Sequence, residues 1–212
     1  HFPITAPARY VDRYWPDGVT RPRVPASGNA YDHPMSLGMR TGFHVDEISD
    51  EEMMRARASY FACVSYLDEV ISDLFLRLEG SGLLENTIIV YTSDHGEMAG
   101  AHGLRQKGPF AYKENSRVPL IISHPDARQQ RDVDNIGSSV DLVPTLLSLA
   151  TEGKADTQTP GTDLSAALDG RPSDRDSKGH LFAYGVTLYT DPEITQALVE
   201  KGDEITPMRL MT

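Results

Sequence analysis

Cysteine is almost absent from this chain: Cys63 stands alone, so no intrachain disulfide can form and no cysteine-based zinc site can be assembled. No apolar run approaches the ~20 residues of a membrane-spanning helix, and no charged, apolar and small-residue leader opens the sequence. Positive charge is short as well, with 20 Lys and Arg against 31 Asp and Glu and a formal net charge of -11. Nucleic-acid binding, which needs a basic surface, is disfavoured. A few local cations in an acidic protein still suffice to hold a small anion. Nothing here fixes the compartment. The 212 residues are enough to bury the core of one domain or somewhat more.

What is present falls into order along the chain. Prolines and glycines crowd residues 1–46, which argues against regular helix and central strand. An ordered but irregular connection is expected there, anchored by Phe2, Tyr10, Tyr14 and Trp15. Ser49 followed by Glu52 has the spacing of a capping box, and Asp50, Glu51 and Glu52 place negative charge where a helix dipole favours it. Tyr60, Val64, Leu67, Ile71, Leu74 and Leu78 recur at intervals of three and four and predict one apolar face. Gly80 or Gly82 ends the helix, and Cys63 within it reads as a small buried residue.

Thr87-Ile88-Ile89-Val90-Tyr91-Thr92 is β-branched and aromatic without polar alternation, the pattern of a strand covered on both faces. It runs into Ser93-Asp94-His95-Gly96-Glu97, and ligands of open α/β sheets bind at such carboxyl ends. Asp94 offers a hard oxygen and His95 a nitrogen, while Gly96 lets the backbone turn. The tetrapeptide alone leaves two readings open: half of a metal site, or a turn with Asp94 bonded to the backbone and His95 in solvent. Downstream, Arg117–Ser123 reads as a second strand and Val140–Ala150 as an apolar helix starting near Pro144. Residues 151–179 read mostly as loop, Leu181–Tyr189 as a third strand and Met208–Met211 as the beginning of another. Alternating helices and strands argue for an α/β layered domain.

Several stretches in this order and spacing resemble the sulfatase family, within the alkaline-phosphatase-like superfamily. They are Val64–Ile71, Gly82–Val90, Ser93–Glu97, Gly100-Ala101-His102-Gly103-Leu104, Lys107 and Arg117–Ile122. His1-Phe2-Pro3 is similar to the tail of that family's Pro-His-x-Pro element, and Asp141–Leu147 to its Asp-hydrophobic-x-Pro-Thr-Leu helix. The resemblance implies an α/β fold with a layered sheet flanked by helices. Residues 1–170 would be the C-terminal part of the catalytic domain, and 171–212 the beginning of a smaller C-terminal subdomain. It implies Asp94 and His95 as ligands of a divalent cation, calcium first, with magnesium or manganese as alternatives. Lys107 and His1 would be catalytic contacts to the sulfate of the substrate. His102 either lines the pocket as a substrate contact or holds the Gly-rich loop by hydrogen bonds, the second being favoured. Arg117 is expected in a structural ion pair, and Lys113 and Glu114 as surface charges.

The family's nucleophile is a formylglycine made from the first residue of a Cys/Ser-x-Pro-x-Arg motif, and no such motif occurs here. Cys63 lacks the proline and arginine. Thr5-Ala6-Pro7-Ala8-Arg9 has the spacing with threonine first, but it follows His1-Phe2-Pro3 directly and lacks the motif's context. The Asp-Asp pair that supplies further metal ligands is missing too, and a hard divalent ion wants six or more oxygens. The expectation is a C-terminal portion of a larger enzyme, with formylglycine outside the segment and the isolated segment inactive. Its partners would be the remainder of its own chain and a small-molecule or glycan sulfate ester. Two other functions fit the same residues: a metal-dependent phosphonate monoester or phosphodiester hydrolase, and a non-catalytic binding protein on the same fold.

Overall fold

The computed structural model describes residues 4–24, 34–108, 112–126, 130, 132–133, 137–153 and 159–168, and its longest element is the helix that the capping box announces. His1 and Phe2, the strands read at 181–189 and 208–211, and the subdomain read at 171–212 lie outside the described residues. Helix α3, Asp50–Gly80, starts where Ser49 Oγ accepts from the Glu52 N–H and the Glu52 carboxylate accepts from the Ser49 N–H. It ends on a Schellman arrangement. The Leu83 N–H donates to the Leu78 carbonyl and the Gly82 N–H to that of Glu79, with Gly82 at φ +70 in the left-handed region. At 1.5 Å per residue its 31 residues span roughly 46 Å.

Two short helices precede it. Ala8–Val11 (α1) follows directly on Pro7, and Pro34–Gly42 (α2) begins at Pro34. The expectation that proline would keep this region free of helix is corrected: a proline at the start of a helix removes only an N–H that has no partner there. Tyr10 and Tyr14 do anchor the segment. Tyr10 is fully buried with its ring 5.5 Å from that of Tyr66, and the Tyr14 hydroxyl lies 2.6 Å from Ser65 Oγ. Arg9 bonds both the Tyr10 hydroxyl, at 2.9 Å, and Glu69, at 3.0 Å.

These contacts fall on the side of α3 opposite the predicted apolar stripe. Residues 58, 61, 62, 65, 66 and 69 share one side at 100° per residue. That side carries the buried Ala58 and Ala62 together with the partners of Arg9 and Tyr10 in α1 and of Tyr14 just after it. The stripe Tyr60, Val64, Leu67, Ile71, Leu74 and Leu78 lies on the opposite side, where Val64, Leu67 and Leu74 are exposed. Alanine escapes a reading based on large apolar residues, although it lets a second helix approach most closely. Cys63 is half-buried, and burial pushes its thiol pKa up, away from the reactive thiolate.

Within the described residues the chain forms two compact units, one holding residues up to Glu85 and His95–Val118, the other Asn86–Asp94 and residues from Pro119 onward. In the second, β1 (Ile89–Thr92) pairs antiparallel with β2 (Leu120–Ser123), with Ile89 opposite Ser123 and Thr92 opposite Leu120. Of the strand expected to be covered on both faces, Tyr91 is exposed within this chain, as are Leu120 and Ile121 of its neighbour, and among the described residues β1 pairs with β2 alone. The β-branched run states a preference for strand, and coverage depends on what packs against it.

Also in the second unit, α5 (Leu142–Thr151) carries Pro144 in its first turn. Asp141 is fully buried, accepting from the Ser138 N–H at 2.8 Å and the Thr162 N–H at 2.7 Å. Thr145 Oγ1 accepts from the Leu164 N–H at 2.9 Å. These bonds fasten the segment before α6 (Ser165–Leu168), a single helical turn inside the stretch read as loop.

Candidate functional site

Asp94 follows β1 by two residues and is exposed, with Ser93 Oγ 3.4 Å from its Oδ1. In the other unit, His95 is half-buried and its Nδ1 lies 2.7 Å from the Gly96 carbonyl oxygen. A carbonyl only accepts, so Nδ1 carries the hydrogen, and the neutral imidazole held this way is the tautomer whose Nε2 can ligate a metal. Asp94 and His95 are thus donors of the right kind for a divalent cation. Among the described residues no cluster of three or more His, Cys, Asp or Glu completes such a site.

Gly96 ties the turn to α4 (Lys113–Ser116). Its N–H donates to the Asn115 carbonyl at 2.8 Å, and a Cβ on it would run into the backbone carbonyl of Glu114. The Glu114 side chain reaches back to the loop, with Oε2 3.4 Å from His102 Nε2 and both side chains only a quarter exposed. The His102 ring stacks on Tyr112, centroids 3.9 Å apart and planes within 13°, while the backbone N–H of His102 donates to the Arg23 carbonyl. His102 therefore fastens the loop by its ring contact with Tyr112, its approach to Glu114 and its backbone hydrogen bond. Glu114 is half-buried rather than a surface charge, because it faces an imidazole; Lys113 is exposed. Arg117 is exposed and forms no ion pair with the described residues, since no carboxylate there reaches it.

Between Gly96 and Gly108 the loop closes over a small core of Met98, Ala101 and Leu104, against which Met39 and Tyr112 pack. Three residues other than glycine take the left-handed conformation: Ala99 at φ 44, His102 at φ 56 and Gln106 at φ 62. Each costs about 1–2 kcal/mol, so the loop needs firm support. Glu97 Oε1 supplies part of it, accepting from the Ala99 N–H at 3.1 Å and the Gln106 N–H at 2.6 Å. Arg57 of α3 donates to the Ala99 carbonyl at 3.1 Å, and the Met98 N–H donates to the Gln106 carbonyl at 3.0 Å. Asn115 Nδ2 donates to the Gly108 carbonyl at 3.1 Å.

Lys107 sits between these anchors. It is exposed and makes no hydrogen bond or ion pair with the described residues. A cavity of about 290 Å³ adjoins the loop, and Ile4, Arg57, Tyr60, Glu97, Arg105 and Gln106 are among its walls. The Nε atoms of Arg57 and Arg105 are buried without a hydrogen-bond partner. The structure gathers His95, His102 and Lys107 in one unit, with Asp94 ending a segment of the other. Sequence reasoning missed Glu97, Glu114 and Asn115 as supports of the loop. Their partners lie 9, 12 and 7 residues away, by non-repeating paths that periodicity does not register.

The Sulfatase family model matches residues 1–152. An uncharacterized sulfatase of Escherichia coli K12, YidJ, is 33% identical over 171 residues, covering 81% of this chain and 33% of that protein. Arylsulfatase K of Gallus gallus is 38% identical over 104 residues, covering 49% of this chain and 19% of its own length. Among solved structures, a phosphonate monoester hydrolase from Silicibacter pomeroyi superposes with a TM-score of 0.73 at 26% identity, covering 83% of this chain and 37% of that one. The chain thus spans a third or less of the curated relatives named here. The partial alkaline-phosphatase-like fold, the family model and these relatives agree: the chain belongs to the sulfatase family.

Proposed function

We propose that the protein carrying this chain is a sulfuric ester hydrolase and that the chain supplies part of its metal and sulfate site. The observation that carries the reading is Lys107: an exposed cation with no partner among the described residues, on a loop held on both sides of it. Such a group stabilises negative charge as it develops on transferred sulfate oxygens, and a support already in place spares reorganisation during the reaction. His1 would be a second sulfate contact. His102, stacked on Tyr112 and close to Glu114, would act first through the loop, with substrate contact as its lesser role. Asp94 and the Nε2 of His95 would hold a divalent cation, calcium first, with further ligands and the formylglycine coming from outside the chain. When bound, the cation would supply charge neutralisation at the sulfate oxygens.

The walls of the adjoining cavity combine Ile4 and Tyr60 with Arg57 and Arg105, which suits the organic part of an anionic ester, small-molecule or glycan. The remainder of the protein's own chain would cover the apolar stripe of α3 and the exposed faces of β1 and β2. Residues 1–170 would then be the C-terminal part of the catalytic domain, with a smaller subdomain beginning at 171.

A phosphonate monoester hydrolase is the second reading, favoured by the solved structure that superposes at 0.73. The full-length protein should be assayed with an aryl sulfate and the matching aryl phosphonate monoester. Faster turnover of the sulfate is expected; preference for the phosphonate would overturn the sulfatase reading in favour of the second. Loss of both activities would favour a binding protein.

A further inference from the structure

We infer that Glu97 is a positioning residue for Lys107, acting through the loop backbone rather than through its charge on the substrate. This rests on the reading of Lys107 as the sulfate contact. Glu97 forms no ion pair with the described residues. One of its oxygens instead accepts from two backbone N–H groups, those of Ala99 and Gln106. Both donors belong to non-glycine residues in the left-handed region, at φ 44 and φ 62. A carboxylate accepts such bonds more strongly than a neutral oxygen, so it is suited to holding conformations the residues would otherwise leave.

Gln106 is the residue that delivers the chain to Lys107. Its N–H is held by Glu97, and its carbonyl by the N–H of the fully buried Met98. The Glu97 grip on Ala99 is doubled by Arg57, which bonds the Ala99 carbonyl from α3. The peptide entering Lys107 is therefore fixed, while the ammonium group has no partner among the described residues. A small displacement of a catalytic cation is costly even when its chemistry is intact.

The test is a double-mutant cycle in the full-length protein with Glu97→Ala, Lys107→Ala and both together. It reads KM and kcat for an aryl sulfate, the inhibition constant of inorganic sulfate, and thermal stability. Glu97→Ala is expected to raise the inhibition constant by about 10–100-fold, the usual loss when a group orienting a ligand is removed, and to add nothing once Lys107 is alanine. Glu97→Gln keeps one acceptor oxygen and is expected to restore most of the affinity. Multiplying effects in the cycle, or an unchanged inhibition constant in Glu97→Ala, would overturn the inference. If Glu97→Ala does not fold, Glu97→Asp takes its place in the cycle. It keeps the charge but is one methylene too short to serve both amides, and the same two outcomes decide. Failure of the underlying reading shows separately: Lys107→Ala alone would then leave the inhibition constant unchanged, whatever Glu97 does.

Discussion

Glu97 and Gln106, nine residues apart, are joined by a 2.6 Å hydrogen bond from the Gln106 N–H to the Glu97 carboxylate. Gln106 stands at φ 62, so that bond holds a conformation most side chains disfavour. Replacing Gln106 by glycine should leave stability unchanged or slightly raised. Valine, whose branched side chain resists positive φ, should destabilise by about 1–2 kcal/mol or more. Urea unfolding of both variants checks this, and equal midpoints would contradict the assigned conformation.

Gly96 meets a harder limit, because the atom in the way is the backbone carbonyl of Glu114 rather than a side chain. Gly96→Ala should cost about 1–3 kcal/mol by overpacking and shift the neighbouring His95. A variant of wild-type stability would show that the turn and α4 are farther apart than described.

Asp141 should be the most sensitive polar position of the second unit. Removing its side chain strands the N–H groups of Ser138 and Thr162, at about 1–3 kcal/mol for each that water cannot reach. Thr145→Val strands that of Leu164 and should cost less than Asp141→Ala. Denaturant unfolding gives the order, and the reverse order would contradict it.

Acid should weaken the anchoring of α3 at two points. Side-chain and backbone hydrogen bonds from Ser49 hold the Glu52 carboxyl below its ordinary value of 4.5, and bonds from Tyr10 and then Arg9 do the same for Glu69. A carboxyl lowered on folding stabilises fully above 4.5 and ceases to do so as pH falls through its lowered value. Unfolding free energy should therefore decline on acidification below 4.5, with a shallower slope in Glu52→Gln and Glu69→Gln. Unchanged slopes in both variants would remove these groups from the account.

Much of this was legible in the sequence because the signals are local. The capping box at Ser49, the Gly82 stop, and Pro144 in the first turn of α5 involve residues within one or two turns of each other. The sense of the β1–β2 pairing was not legible, since a β-branched run says strand without saying what it pairs with. The buried side of α3 escaped because Ala58 and Ala62 carry no large apolar side chain. The supports of the candidate site escaped for a third reason: a carboxylate accepting backbone N–H groups from two irregular turns leaves no spacing rule. Asp94, His95 and Lys107 could be named from their motifs, whereas Glu97, Glu114 and Asn115 required the path of the chain between them.

Lys107 is where the whole reading is most exposed to test. The measurement is kcat/KM of the full-length protein for an aryl sulfate, comparing Lys107→Ala with Lys113→Ala, a neighbouring exposed lysine on α4. Loss of about 10²–10³-fold is expected for Lys107→Ala, as for other groups that stabilise charge in the transition state, with little change for Lys113→Ala. Equal activity of the two variants would contradict the assignment of Lys107 to the sulfate.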